Sequence, residues 1–253
     1  MLAKVGKIGE VPSFGSFFGM YMAHHTESTR IQLQGRIATW LRRPLAHKLR
    51  SLSNKAAGGV NWMEDQLFEK WHGLDCSGFI DGHELETSYS SARAHSRAYQ
   101  AVTCVAIRAL LNEAMKTGIV FDQFIDLGSG KGKACFYAAA NYRFRRLVGV
   151  EFSEPLVQAA DRNVKKFGAD NICFVNADAA SFSLPAGNNL VYLFNPFGEA
   201  ILLEFLKNNM DKFRRSQSII AYANDKHRLC LAKAGFVTLF RNQDSQSSLH
   251  QYL

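Results

Sequence analysis

The sequence predicts an α/β fold in which a doubly wound, mostly parallel sheet is covered by helices on both faces. From Val120 onward, short apolar segments alternate with segments of helical periodicity. Such alternation is typical of a parallel sheet whose strands are buried on both faces. The last two apolar segments are short and close together, which predicts an antiparallel hairpin. Together these observations predict a sheet of seven strands.

The predicted strands are short, apolar and bounded by turn or cap residues, and the helices between them keep one apolar face. We predict strands at residues 124–127, 147–151, 172–178, 190–194, 218–222, 236–240 and 249–253. We predict helices at residues 131–142, 153–167, 199–210 and 225–234. The helix at 153–167 opens on Ser153-Glu154-Pro155, which suits a helix start because proline is tolerated in the first turn.

Residues 119–253 are predicted to form the main domain, and two regions precede it. Residues 1–60 form a predicted basic helical extension, in which leucine or isoleucine recurs every four residues from Leu33 to Leu49. Much of the formal net charge of +8 lies in this extension. It is either a cap with a solvated charged face or a surface that captures an anionic partner, and both readings stay open.

Residues 61–118 are predicted as a helical and loop cap region that leads into the core. A short helix is expected at 62–71, with Trp62, Leu67, Phe68 and Trp71 facing inward. The turn-rich segment 72–82 has no helical or strand period, and long loops of this kind tend to be functional. A long helix is expected after Tyr89 and ends near Gly118, with one apolar face formed by Ala98, Val102, Val105, Ala109 and Leu110.

The motif Asp126-Leu-Gly-Ser-Gly-Lys-Gly132 joins the first strand to its helix and predicts a ligand site. Glycine is expected there because a backbone that passes under a bound ligand has no room for Cβ. The spacing does not fit a phosphate-binding P-loop, since the Gly130-Lys131 pair is followed by Gly132. A dinucleotide fingerprint is also disfavoured, because Lys133 stands where its third glycine belongs.

Three further features follow the next strands in the order that a nucleoside-binding site requires. Glu151 ends the second strand, where a carboxylate can accept hydrogen bonds from ribose hydroxyls. Phe152 can lie against an adenine face, and Asp178 can accept from an adenine amino group or cap a helix. Asn195-Pro196-Phe197 ends the fourth strand, beside the point where ligands bind in open sheets.

From about Phe68 to the C-terminus, the chain resembles bacterial class I S-adenosylmethionine-dependent methyltransferases of undefined acceptor. The resemblance rests on FEKWHGLDCSGFI, FIDLGSGKGKACFYAA, FRRLVGVEFS and YLFNPF. More distantly, the chain is similar to seven-strand histone-lysine methyltransferases. It departs from the bacterial group after Tyr89, where Ser-Ser-Ala replaces a usual proline, and at the fifth strand, which ends in Tyr-Ala-Asn.

This resemblance implies a Rossmann-like fold, S-adenosyl-L-methionine as cofactor, and two sets of site residues. The implied cofactor-binding residues are Tyr89, Asp126, Gly128, Ser129, Gly130, Gly132, Glu151, Phe152, Asp178 and Ala179. The implied catalytic residues are Asn195, Pro196 and Phe197, with the Asn195 side-chain carbonyl accepting from an amine or amide nitrogen. The acceptor stays undefined; a protein or small molecule is favoured, and nucleic acid remains open.

Composition narrows the remaining classes of function. The histidines and cysteines show no metal-ligand spacing, so no metal is expected. No run of 18 apolar residues predicts a membrane span, and five dispersed cysteines suggest a reducing, cytoplasmic setting. The alternative function is a non-catalytic protein of the same fold that binds nucleic acid through its basic N-terminal helices. A nicotinamide dehydrogenase is disfavoured by Lys133.

Overall fold

The computed structural model of the protein describes residues 61–80 and 99–253. The predicted basic extension at residues 1–60 and the loop that contains Tyr89 lie outside these ranges. All described residues belong to one compact unit. Within the described ranges, no helix combines the length and the apolar character needed to cross a membrane.

Seven strands build the main sheet, and a two-stranded ribbon precedes it. The ribbon consists of β1 (Phe79–Ile80) and β2 (Tyr99–Gln100). The main sheet consists of β3 (Gln123–Leu127), β4 (Arg146–Glu151), β5 (Ile172–Asn176), β6 (Asn189–Phe194), β7 (Ile219–Ala223), β8 (Phe236–Asn242) and β9 (Ser247–Tyr252).

The strand order across the main sheet is β5-β4-β3-β6-β7-β9-β8. Strands β3 to β7 run parallel, whereas β9 is antiparallel to both β7 and β8. The chain builds outward from β3 to β5, then returns to the other side of β3 with β6. Ligands bind at such a reversal in open α/β sheets. The predicted Rossmann-like, seven-stranded sheet with an antiparallel C-terminal hairpin is confirmed.

Helices cover both faces of the sheet. They are α1 (residues 61–72), α2 (Cys104–Met115), α3 (Lys133–Asn141), α4 (Glu154–Phe167), α5 (Glu199–Arg214) and α6 (Arg228–Lys233), with a 3-10 turn at Ala179–Ser181. Alternation along β3 divides the core, since Phe124 packs with residues of α2 and α3 while Ile125 packs with residues of α5.

The long helix expected to end near Gly118 begins later than predicted. Residues 99–100 form β2, and α2 starts only after Thr103, whose hydroxyl accepts from the Ala106 backbone N–H at 3.3 Å. Its register also differs, because Ala109 is exposed and Val105 half-buried. The buried residues of α2 are Cys104, Ile107, Leu110, Leu111 and Ala114. The Thr103 cap decides this start, since its side chain satisfies an N–H that the first turn leaves unpaired.

The predicted inward face of α1 is wrong for three of its four residues. Trp62, Leu67 and Trp71 are 64%, 52% and 80% exposed, and only Phe68 packs against the core cluster. Two carboxylates one helical turn apart, Asp65 and Glu69, instead face the domain. They face the domain because the buried ammonium of Lys133, on α3, pairs with both of them.

Candidate active site

A cavity of about 320 Å³ opens at the carboxyl edge of the parallel strands, where the strand order reverses between β3 and β6. Its volume lies at the lower end of the ~300–1,000 Å³ that small-molecule sites occupy. The predicted site residues in its wall are Asp126, Gly128, Ser129, Glu151, Phe152, Asp178, Ala179, Asn195, Pro196 and Phe197. Gly130 and Gly132 do not line it, and Tyr89 lies outside the described residues.

The three glycines of the loop after β3 are required by contacts within the protein. All have positive φ, at 76°, 54° and 90° for Gly128, Gly130 and Gly132. An added Cβ would lie 2.2 Å from Pro196 Cβ at Gly128 and 2.2 Å from the Tyr99 ring at Gly130. At Gly132 it would lie 2.3 Å from the ring of a phenylalanine on β5. Glycine is therefore required here by packing within the protein, in addition to the close approach of a ligand that the sequence predicted.

Glu151 fixes the glycine loop through its carboxylate. One carboxylate oxygen accepts from the Gly130 backbone N–H at 2.9 Å, and the other accepts from the Ser153 N–H at 3.0 Å. Burial raises the pKa of Glu151, while these backbone N–H groups oppose the rise by stabilising the charged form. Each carboxylate oxygen keeps acceptor capacity for a ligand hydroxyl.

Asp126 is the second buried carboxylate of the cavity. Burial and the negative charge of Glu151 together raise the pKa of Asp126 to about 8. Its neighbour across the β3–β6 pairing is Tyr192, whose buried hydroxyl has no hydrogen-bond partner in the described structure. A ligand with a positive charge near Asp126 would lower this pKa again, because it favours the ionised carboxylate.

The segment that follows β4 and β5 is held by polar contacts near the cavity. The Asn176 side-chain amide donates to the backbone carbonyls of Glu151 and Phe152 at 3.2 and 3.0 Å. Asp178 accepts from the Ala180 backbone N–H at 2.9 Å and so caps the 3-10 turn. Asp178 therefore has the capping role that the sequence left open, and it also lines the cavity.

Asn195 follows β6 and has the uncommon backbone φ of 44°. The residue is buried, and its side-chain carbonyl accepts from the Tyr222 hydroxyl at 3.2 Å. Pro196 contacts the glycine loop at Gly128, as the short Cβ distance shows. The turn after β6 is thus fixed against the loop after β3, and both face one cavity.

Segment 73–80 and α1 hold the glycine loop from outside the sheet. The Lys133 ammonium lies 3.0 Å from Asp65 and 3.1 Å from Glu69, and its side chain is only 5% exposed. Burial opposes the charge of Lys133, but the two carboxylates outweigh this effect and raise its pKa. Glu69 also accepts from the backbone N–H groups of Cys76 and Ser77.

Lys131 and Asn163 add to these contacts of segment 73–80 and α1 with the glycine loop, which together we call the clamp. The Lys131 carbonyl accepts from the Asn163 amide at 3.2 Å, and that amide also donates to the Asp75 carbonyl at 3.1 Å. The Lys131 ammonium donates to the Ser77 carbonyl at 2.8 Å. The turn-rich segment expected to be functional thus positions the loop, and within the described residues its members do not line the cavity.

Several cavity residues were missed from the sequence, and some left a signal. Tyr99 belongs to an extended segment that ends at the Thr103 cap, a pattern that favours a strand over a helix. Asn224 follows β7 in the Tyr-Ala-Asn sequence, where the chain departs from the bacterial group that it resembles, and Lys226 lies two residues further on. The described residues outside the prediction that line the cavity include Tyr99, Gln100, Lys133, Tyr192, Asn224 and Lys226.

Comparisons with known proteins agree with this architecture. Residues 124–212 match a family model described as a methyltransferase domain. No curated protein sequence matches the chain. Among solved structures, TrmN from Thermus thermophilus has 18% identity and a TM-score of 0.48, covering 60% of this chain and 49% of TrmN.

Two further structures show likeness at a similar level. A putative methyltransferase, YhhF, from Escherichia coli has 20% identity and a TM-score of 0.46, covering 58% of this chain and 84% of its own. A SAM-dependent methyltransferase from Aquifex aeolicus has 13% identity and a TM-score of 0.43, covering 59% and 98%. Such likeness carries no information about substrates. The observed strand order is the one predicted for the class I fold, and residues 124–212 match the methyltransferase-domain model.

Proposed function

We propose that the protein is an S-adenosylmethionine-dependent methyltransferase that methylates an amine or amide nitrogen on a protein or small molecule. The observation that carries this proposal is the meeting of Asp126, Glu151 and Asn195 in one cavity at the strand-order reversal. The first two suit a cationic, hydroxyl-bearing donor, and the third suits a nitrogen that approaches it. The unpaired cysteines are consistent with a cytoplasmic location.

The residues of the cavity fit such a donor. Glu151 would accept from the ribose hydroxyls, Phe152 would lie against the adenine, and Asp178 would accept from the adenine amino group. Asp126 would face the positively charged amino acid end. The Ser129 hydroxyl is buried without a hydrogen-bond partner in the described structure, which fits a loop that receives a polar ligand.

When bound, the donor supplies an electrophilic methyl group on a sulfonium, and its transfer to a nitrogen leaves a neutral thioether. Asn195 would orient the nitrogen by accepting one N–H in its side-chain carbonyl, and that proton leaves to water after transfer. Orientation of this kind is worth up to ~7–11 kcal/mol when two reactants are held in line. The protein contributes position and exclusion of water in this scheme.

Titration calorimetry of the full chain tests the donor. We expect S-adenosylmethionine and S-adenosylhomocysteine to bind and NAD to give no heat. Binding of NAD alone would overturn the proposal in favour of a dehydrogenase. The acceptor is then sought with methyl-labelled donor across protein, small-molecule, RNA and DNA fractions, and label confined to nucleic acid would remove the preference for a protein or small molecule.

A further inference from the structure

Two asparagines with positive φ stand at the ends of neighbouring parallel strands. Asn195 follows β6 with φ 44°, and Asn224 follows β7 with φ 53°. Within the described residues, Gln246 is the only other non-glycine residue with positive φ. Such backbone conformations cost of order ~1–3 kcal/mol and cluster at functional sites. Glycine would adopt them without that cost, so the two side chains call for an explanation.

The two asparagines are level with one another at the edge of the sheet. Phe194 pairs with Ala223 in the β6–β7 register, so the residues that follow occupy corresponding positions. Neighbouring strands lie roughly 4.8 Å apart. Both asparagines line the same cavity. Gln246, in contrast, is exposed in the turn before β9 and does not line it.

Their side-chain amides differ in what they contact. The Asn195 carbonyl accepts from the Tyr222 hydroxyl, which leaves the second lone pair of that oxygen available. The Asn224 amide is half-exposed and makes no hydrogen bond with the side chains or backbone of the described residues. The hydrogen bond from Tyr222 therefore gives the Asn195 side chain a role within the protein. No contact with the described residues gives the Asn224 amide such a role.

We propose that Asn224 is a second acceptor-positioning residue, and that its carbonyl and that of Asn195 each accept one N–H of an uncharged primary amino group. This inference rests on the proposed function and narrows its acceptor to a nitrogen with two N–H bonds. Lys226 lines the same cavity and supports an uncharged nitrogen, because a nearby positive charge disfavours protonation of an amine.

A pair of donor analogues tests this arrangement without knowledge of the acceptor. S-adenosylhomocysteine lacks the methyl group, whereas sinefungin carries an amino group at the position from which the methyl is transferred. Carbonyl oxygens accept N–H from a protonated or an uncharged amino group, so two of them beside that position should make the full-length protein bind sinefungin at least tenfold more tightly than S-adenosylhomocysteine. Calorimetry measures both affinities.

Glycine substitutions remove each amide while keeping the backbone conformation free of strain. Asn224→Gly should lower the sinefungin preference about tenfold and leave S-adenosylhomocysteine affinity within twofold. Asn224→Asp retains an acceptor oxygen and should retain the preference. Gln246→Gly is the matched control, since it changes a positive-φ residue that does not line the cavity and keeps the backbone carbonyl that accepts from Asp225, so it should leave both affinities unchanged.

The outcomes separate this inference from the function on which it rests. If Asn224→Gly keeps the wild-type preference while Asn195→Gly loses it, Asn224 has no positioning role and the proposed function stands. A wild-type protein that binds sinefungin no better than S-adenosylhomocysteine also overturns the inference. If the wild-type protein binds neither analogue, the proposed function fails, and the inference fails with it.

Discussion

The two sides of the cavity differ in how their polar groups are satisfied. On the glycine-loop side, Glu151 accepts from two backbone N–H groups, and Lys133 is paired with two carboxylates. On the side formed by the ends of β6 and β7, Asn224 has no hydrogen bond from its amide to the described residues, although its backbone is strained. The comparison indicates that the glycine-loop side is fixed by contacts within the protein, while the side formed by the ends of β6 and β7 keeps hydrogen-bonding capacity. Under the proposed function, the first side would hold the donor and the second would receive the acceptor.

The largest expected effect is a loss of stability on the glycine-loop side of the cavity. Lys133→Met should lower the free energy of unfolding by about 3–5 kcal/mol, because it leaves two buried carboxylates without their cation. Lys207→Met is the control, since the side chains of Lys207 and its partner Glu204 are 76% and 49% exposed and such pairs contribute about 1 kcal/mol or less. Urea unfolding measures both. Equal losses in the two variants would contradict a clamp that depends on buried charge.

Glu151 tests whether the glycine-loop side of the cavity also binds the donor. Glu151→Ala should weaken S-adenosylhomocysteine binding roughly tenfold to a hundredfold, because charge-assisted hydrogen bonds contribute ~1.5–3 kcal/mol. Glu151→Gln retains one oxygen for the Gly130 N–H and should lose less. Calorimetry gives the affinities, and a circular dichroism spectrum confirms folding. An unchanged affinity in folded Glu151→Ala would remove this residue from the site.

Asn195 tests the side of the cavity formed by the ends of β6 and β7. Asn195→Gly should reduce methyl transfer at least tenfold, about 1.4 kcal/mol, while donor affinity stays within about twofold. Glycine is chosen because alanine would be strained at φ 44°. Single-turnover rates with the acceptor found by labelling give the first quantity, and calorimetry gives the second. Joint loss of binding and transfer would place Asn195 in the donor pocket, and full activity would make it a turn residue only.

The smallest expected effect is on the pH dependence of donor binding. Asp126, with a pKa of about 8, is largely protonated at pH 6, and binding of a cationic ligand favours its ionised form. Affinity for S-adenosylhomocysteine should therefore rise several-fold between pH 6 and pH 8. In Asp126→Asn the rise should disappear. A steep pH dependence that persists in this variant would assign the titration to another group.

The sequence predicted the sheet well because its signals are local. Alternation of strand and helix gave the seven strands, and β4 and β6 each begin one residue before their predicted starts, at Arg146 and Asn189. The cavity residues predicted from glycine, acidic and asparagine motifs also lie together, since all lie at, or just after, the carboxyl ends of parallel strands.

Contacts between distant segments could not be predicted in the same way. The approach of Tyr99 to Gly130 depends on tertiary packing, and so does the burial of Lys133 against Asp65 and Glu69. The apolar pattern of α1 was misleading because buried charge, rather than its tryptophans, faces the domain. Asn224 ends the Tyr-Ala-Asn sequence at which the chain departs from the methyltransferases it resembles, but no local pattern specified its backbone φ of 53°.

The pairing of Lys133 with α1 has a consequence for the order of folding. Asp65 and Glu69 precede Lys133 by more than sixty residues, so their pairing closes a long loop of the chain. The β3–β6 pairing spans a similar separation, from Gln123 to Asn189, and the entropy cost of closure grows only slowly with loop length. We therefore expect docking of α1 and pairing of β3 with β6 to belong to one cooperative step, in which Lys133 gains its buried carboxylates as the glycine loop forms.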